Sequence, residues 1–190
     1  MLFSCTRGRK SSREKILDAA AELVGEIGAG RLTLESVAER AGLSKGGLLY
    51  NFPTKDALLQ AMIQRMIDQV ATEKDVLRET TAPGPNREAR VVTKTLLNIC
   101  CGGKMKDMAT GMMAATAENP SLLDPVRQVI STTLEQLKAS SDDLDSALLG
   151  WLATEGLSSL EMHKLSPFSE EDRERIVKAI DRLVTKGIAE

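Results

Sequence analysis

Residues 33–55 read TLESVAERAGLSKGGLLYNFPTK, and the punctuation of this stretch predicts two short helices joined by a tight turn. Leu34, Val37, Ala38 and Ala41 recur at i, i+3, i+4 and i+7, which places one apolar stripe on a helix of about two turns. Gly42 follows as the left-handed residue that ends such a helix, Leu43 is expected to plug the angle, and Ser44 to cap the next helix. That second piece, Lys45 to Phe52, opens with Gly46 and Gly47, which weaken the helix but leave bare backbone able to approach a phosphate. Pro53 stops it, Thr54 caps a third helix, and Lys55 and Asp56 open a long amphipathic run. Short helix, glycine turn, short glycine-rich helix and long helix is the order that a helix-turn-helix requires.

Upstream, Ser11 and Glu14 predict a capping box, and Ile16, Ala19, Ala20, Leu23, Val24 and Ile27 form a stripe ending at Gly28 and Gly30. Downstream, a long helix is expected from Lys55 to Glu79, then a loop at TTAPGPN (80–86), where two prolines flank a glycine. Further helices are expected near 88–101, 105–117, 121–139, 143–164 and 170–187. No run of strict alternation is long enough for a sheet, so the fold class is all-α.

Composition narrows the function. The chain has 190 residues and no apolar run long enough to cross a membrane as a helix. Its three cysteines, Cys5, Cys100 and Cys101, do not make a disulfide framework, which predicts a reducing cytoplasm. Net charge is −2, but residues 1–55 hold nine Lys/Arg against six acids, so the N-terminal end is positive and the rest is an acidic body. Enzyme chemistry finds little support. His163 is the only histidine, without Cys, Asp or Glu at metal-ligand spacing, and GEIGAG (25–30) ends a helix instead of following a strand as a dinucleotide loop would. No cofactor is expected.

The block from Thr33 to Leu59, including Val37-Ala38, Ala41 to Gly46, Tyr50, Phe52 and Lys55 to Leu59, resembles the N-terminal domain of TetR-family transcriptional regulators. Arg13 to Gly28 resembles that family's first helix. Two positions depart from the pattern: Leu49 stands where many members carry an aromatic residue, and Asn51 where histidine or tyrosine is common. The resemblance implies a three-helix helix-turn-helix domain with a basic arm over residues 1–55, and a larger helical ligand-binding and dimerisation domain over 56–190. It also implies a ligand-responsive repressor: a homodimer that binds a double-stranded DNA operator and is released by a small, largely apolar effector. The alternative is a helical ligand-binding or protein-interaction module without a specific DNA target.

DNA contacts are expected from Ser44, Lys45, Gly46 and Gly47 at the start of the recognition helix, from Tyr50 and Asn51 on it, and from Thr33 and Lys55 on either side. Arg7, Arg9, Lys10 and Arg13 make the arm. Tyr50 is either a phosphate contact or a core aromatic, whereas Phe52 is expected to pack. Met62, Met66, Met105, Met108 and Met112, with Trp151 and Glu155, are candidates for the effector pocket, methionine being adaptable to irregular apolar ligands. Methionines at helical spacing equally suit a plain core, and Glu155 equally suits a surface. Leu148, Leu152, Leu160, Ile176, Ile180 and Leu183 are candidates for a dimer interface, with Gly150 and Gly156 allowing another backbone close. The same stripes would also serve the monomer's own core.

Overall fold

The computed structural model of the chain describes residues 11–100 and 104–188. Among these residues it is built from helices α1 (Ser12–Ile27), α2 (Leu34–Ala41), α3 (Lys45–Asn51), α4 (Lys55–Thr80), α5 (Arg87–Cys100), α6 (Lys104–Glu118), α7 (Asp124–Ser140), α8 (Leu144–Met162) and α9 (Glu170–Lys186). Short 3-10 turns lie at Ala29–Arg31 and Pro120–Leu123. The second of these is where the expected helix from 121 begins late. Pro125 occupies its first turn, the usual place for a residue with no N–H to donate.

Six of these helices start on a side-chain cap. The hydroxyls of Ser11, Thr33, Ser44, Thr54 and Ser169, and the Asp143 carboxylate, accept from backbone N–H groups three residues on. Such caps are worth about 1 kcal/mol apiece. The Ser169–Asp172 box is reciprocal, as its spacing predicts.

Two apolar clusters organise the chain. The first joins Ile16, Leu17, Ala20 and Val24 of α1 to Val37 of α2, Leu48 of α3, and Leu58, Leu59 and Met62 of α4, and continues into Met108, Met112 and Ala115 of α6. Packing is therefore continuous across residue 55. The second cluster holds Ala89, Val92, Leu137, Ala147 and Val184, with Leu96, Leu148 and Trp151 at its edge.

The contact between α1 and α6 is unusually close. A Cβ on Gly111 would lie 2.3 Å from the Val24 carbonyl oxygen, so only glycine permits the crossing. Gly25, Gly28 and Gly30 supply the opposing small surface, near Asp107, Gly111 and Ala114. The glycines of GEIGAG thus form a helix-packing seam. Polar ties complete the frame. Arg65 donates to Asp18 (2.8 Å) and to the Leu17 carbonyl, and Arg40 makes two bonds to Glu26 (2.9 and 2.8 Å), fixing α4 and α2 on α1. In the body, half-buried Glu88 receives Lys74 (3.0 Å) and Arg78 (2.9 Å). Burial pushes its carboxyl up, but the bonds from Arg78 and Lys74 outweigh this and hold it below the ordinary range.

Candidate nucleic-acid interface

Between α2 and α3 the chain reverses in three residues. Gly42 has φ 65° and ψ 37°, the left-handed conformation its position predicts. Its N–H donates to the Glu39 carbonyl (3.1 Å), and Leu43 N–H donates to Ala38 (2.9 Å). Ser44 then caps α3 by accepting from Gly47 N–H (3.1 Å). Leu48 is fully buried and Phe52 is 3% exposed, which turns the opposite side of α3 outward. That side presents Lys45, Gly46, Leu49 and Tyr50. Tyr50 is 91% exposed, so it is not a core aromatic, and its phenol stands free for an outside partner. Nothing lies within 4 Å of where a Gly46 side chain would begin.

Several expected contacts are already occupied within the chain. The Thr33 hydroxyl is used in the α2 capping box with Ser36. Lys55 Nζ donates to the Gly30 carbonyl (2.9 Å), tying α4 to the turn after α1 instead of standing free as a clamp. Asn51 Nδ2 donates back to the Gly47 carbonyl (2.9 Å), so its amide braces α3. Arg13 lies 5.4 Å from the Phe52 ring centroid, a cation–π contact that holds the start of α1 over α3. Arg7, Arg9 and Lys10 lie outside the described residues. Lys45 Nζ pairs with Glu35 (2.6 Å), and both side chains are more than half exposed. The hydrogen bond and charge of Lys45 hold the Glu35 carboxyl below its ordinary range. No signal in the sequence marks this pair, because the i+10 relation of Glu35 to Lys45 is not a helical spacing and the two meet only when the turn folds back.

The pocket candidates separate into two groups. Met62, Met108 and Met112 are at most 4% exposed within the first cluster, and Met66 packs against it. These methionines pack among side chains of α1, α4 and α6 in that cluster. The Met105 side chain lies outside the described residues. Trp151 belongs to the second cluster, and its indole N–H donates to Glu155 (3.2 Å). Burial raises the Glu155 carboxyl above its ordinary value, opposed by the Trp151 bond. One turn further along α8, the buried Ser158 hydroxyl has no hydrogen-bond partner. This residue was not singled out from sequence, where a serine in an apolar helix gives no signal.

The interface candidates also divide. Ile180 is 4% exposed and belongs to the chain's own core. Gly150, expected to admit another backbone, instead faces Val184 of α9: a Cβ there would come 2.1 Å from Val184 Cγ1. Leu148, Leu160, Ile176 and Leu183 are half-buried. Leu152 is 68% exposed and shares a face of α8 with exposed Leu149 and with Gly156, which has open space around it. A helix apolar around its whole circumference is ordinarily covered on all sides, yet α8 leaves this side bare. Phe168, just before α9, and Asp172, Arg175, Ile176, Ala179 and Arg182 on it line an open groove of about 410 Å³.

A turn of this geometry, with a buried leucine behind and an exposed lysine and tyrosine in front, defines a helix-turn-helix DNA-binding regulator. Family models place it further: "Bacterial regulatory proteins, tetR family" matches residues 16–62, and "Tetracyclin repressor-like, C-terminal domain" matches residues 86–185. The chain belongs to the TetR family of transcriptional regulators, which is not a family of enzymes. It is 26% identical over 160 residues to the HTH-type transcriptional regulator RutR of Escherichia coli (strain K12), covering 84% of this chain and 71% of RutR. Its fold is similar to that of a transcriptional regulator from Rhodococcus sp. Rha1, with a TM-score of 0.74 at 18% identity over 95% of this chain and 100% of that one. It is also similar to the multidrug binding protein EbrR complexed with malachite green, with a TM-score of 0.66 at 22% identity over 92% and 99% of the two chains. Among the described residues no helix is long and apolar enough to cross a membrane, and no group of three or more His, Cys, Asp or Glu side chains is placed to hold a metal.

Proposed function

We propose that this chain is a ligand-responsive repressor. It acts as a homodimer whose two α3 helices enter successive major grooves of an imperfectly palindromic operator. The observation that carries the reading is the outward face of α3, where Tyr50 is almost wholly exposed beside Lys45 and bare Gly46. Lys45 and Tyr50 are the principal contacts to phosphate and base edges, with the backbone of Ser44 and Gly46 alongside, while the Gly47 N–H is held by the Ser44 hydroxyl. Thr33, Asn51 and Lys55 brace this surface, and the arm with Arg7, Arg9 and Lys10 adds phosphate contacts. The functional division is a DNA-reading head over residues 1–55 and a sensing and dimerising body over 56–190.

Dimerisation is supported by the bare side of α8 with Leu149, Leu152 and Gly156. Leu160 and the α9 residues Ile176 and Leu183 flank it. The effector site is proposed around Trp151, Glu155 and Ser158, which lie at i, i+4 and i+7 on α8 and so share one side of it. An indole, a carboxyl of raised affinity for its proton and an unbonded hydroxyl suit a largely apolar ligand with a hydrogen-bond donor. EbrR, similar in fold, is a multidrug binding protein complexed with malachite green. Coupling runs through the α1–α6 seam, where Met62, Met108 and Met112 fill the join: an effector that favours one placement of α6 changes the separation of the two heads.

The test is affinity selection of the purified protein on fragmented genomic DNA of its source at about 0.15 M salt, with a salt titration of the best fragment. Recovery of one imperfect palindrome with a steep salt slope is expected. Weak binding without sequence preference would refute the operator reading.

A further inference from the structure

The Lys45–Glu35 pair occupies the middle of the surface proposed to meet DNA, and no fold requirement explains it. Both side chains are more than half exposed, and α2 and α3 are already fixed to each other by the Gly42 turn and by Val37 and Leu48 behind them. An exposed pair of this kind adds little to stability. What it does change is the charge offered to a phosphate: with Glu35 at 2.6 Å, the lysine nearest the start of α3 is neutralised until something displaces the carboxylate.

We propose that Glu35 is a specificity-determining residue that withholds Lys45 from phosphates on arbitrary DNA and releases it only where a base edge accepts the carboxylate. In the major groove that edge is a cytosine N4 amino group, the donor a carboxylate recognises, with Lys45 then free for the neighbouring guanine or phosphate. On other sequences the carboxylate remains on Lys45, or faces acceptors and phosphates that repel it. The inference rests on the α2–α3 face being the DNA surface. Nonspecific binding is almost entirely counterion release, so one withheld lysine has a calculable effect. A phosphate contact adds about 0.9 to the salt slope, equivalent to about fivefold in affinity at about 0.15 M salt.

The experiment measures binding of the full-length protein to a random-sequence duplex across a salt series, for wild type, Glu35→Gln, Lys45→Ala and the double variant, with thermal melts as a control for folding. Glu35→Gln is isosteric and exposed. It is expected to tighten random-sequence binding about fivefold per bound head and to steepen the slope by about 0.9. That gain is expected to vanish in the Lys45→Ala background. Unchanged binding by Glu35→Gln would overturn the inference, and so would an undiminished gain without Lys45, because Glu35 would then act as a bare repelling charge. If the wild type and every variant failed to bind any DNA, the DNA-surface reading itself would fall, and this inference with it.

Discussion

Replacing Gly111 by alanine tests the coupling seam most directly. The new Cβ would lie 2.3 Å from the Val24 carbonyl oxygen, 2.8 Å from Val24 Cγ1 and 3.0 Å from the Val24 carbonyl carbon. Ordinary contact begins near 3.4 Å, so α6 has to retreat from α1 by about 1 Å. Two of the three opposing atoms are backbone and cannot rotate aside, which places the cost at the upper end for an overpacked core, about 3 kcal/mol. Alanine returns about 1 kcal/mol through its better helix propensity. The net loss of about 2 kcal/mol corresponds to a Tm lowered by about 4–8 °C in a chain of this size. Circular-dichroism melts at fixed protein concentration measure it, with Gly46→Ala as the control. Gly46 is also helical but has open space around it, so that change leaves Tm level or slightly raised. A Gly111→Ala protein melting at or above the wild-type temperature would show that α1 and α6 are not locked by this contact, and the proposed route from body to head would lose its basis.

Three other outcomes are expected. Lys45→Ala and Tyr50→Phe each weaken operator binding, and Lys45→Ala lowers the salt slope by about 1 per head; unchanged affinity for both would refute the contact map. Leu152→Asp places a charge on the bare side of α8 and is expected to yield monomers in sedimentation at micromolar concentration, while a persisting dimer would move the interface elsewhere. Glu155→Gln tests linkage. Burial raises this carboxyl above 4.5 in the folded state, so its proton favours folding, and that contribution is complete below the unfolded value and lost as pH rises through the folded one. The glutamine variant, which can still accept from Trp151, is therefore expected to melt higher than wild type near pH 7, with the gain shrinking toward about pH 4. An equal difference at both pH values would show that Glu155 is not desolvated.

Residues whose role is set by their immediate neighbours were legible in the sequence. Gly42, Ser44, Thr54 and Ser169 act as their positions predict because capping and left-handed turns depend on about four consecutive residues. Stripe residues such as Val24 and Val37 were legible for the same reason, through helical period. What stayed hidden depends on which helix arrives from far along the chain. Gly150 carries no mark that its neighbour is Val184 and not a second copy. The glycines at 25–30 reveal their purpose only opposite Gly111, some eighty residues later. Methionine has the same periodicity whether it lines a cavity or fills a join, so Met62 and Met108 could be placed on a face but not given a role. Lysines are ambiguous in the same way: Lys45 and Lys55 look alike in the sequence, and only the fold gives one an exposed acid and the other a backbone carbonyl.

The indole of Trp151 has a practical consequence. It is the sole tryptophan, it sits in the body, and its N–H is bonded to the half-buried Glu155 carboxyl, whose affinity for its proton burial has raised. Its fluorescence is therefore a reporter already installed in the native chain, silent about the head and sensitive to the interior. Titration of candidate compounds while watching that single emission needs neither a label nor a known operator, and a compound that competes for Glu155 will announce itself by the colour and intensity of the emitted light.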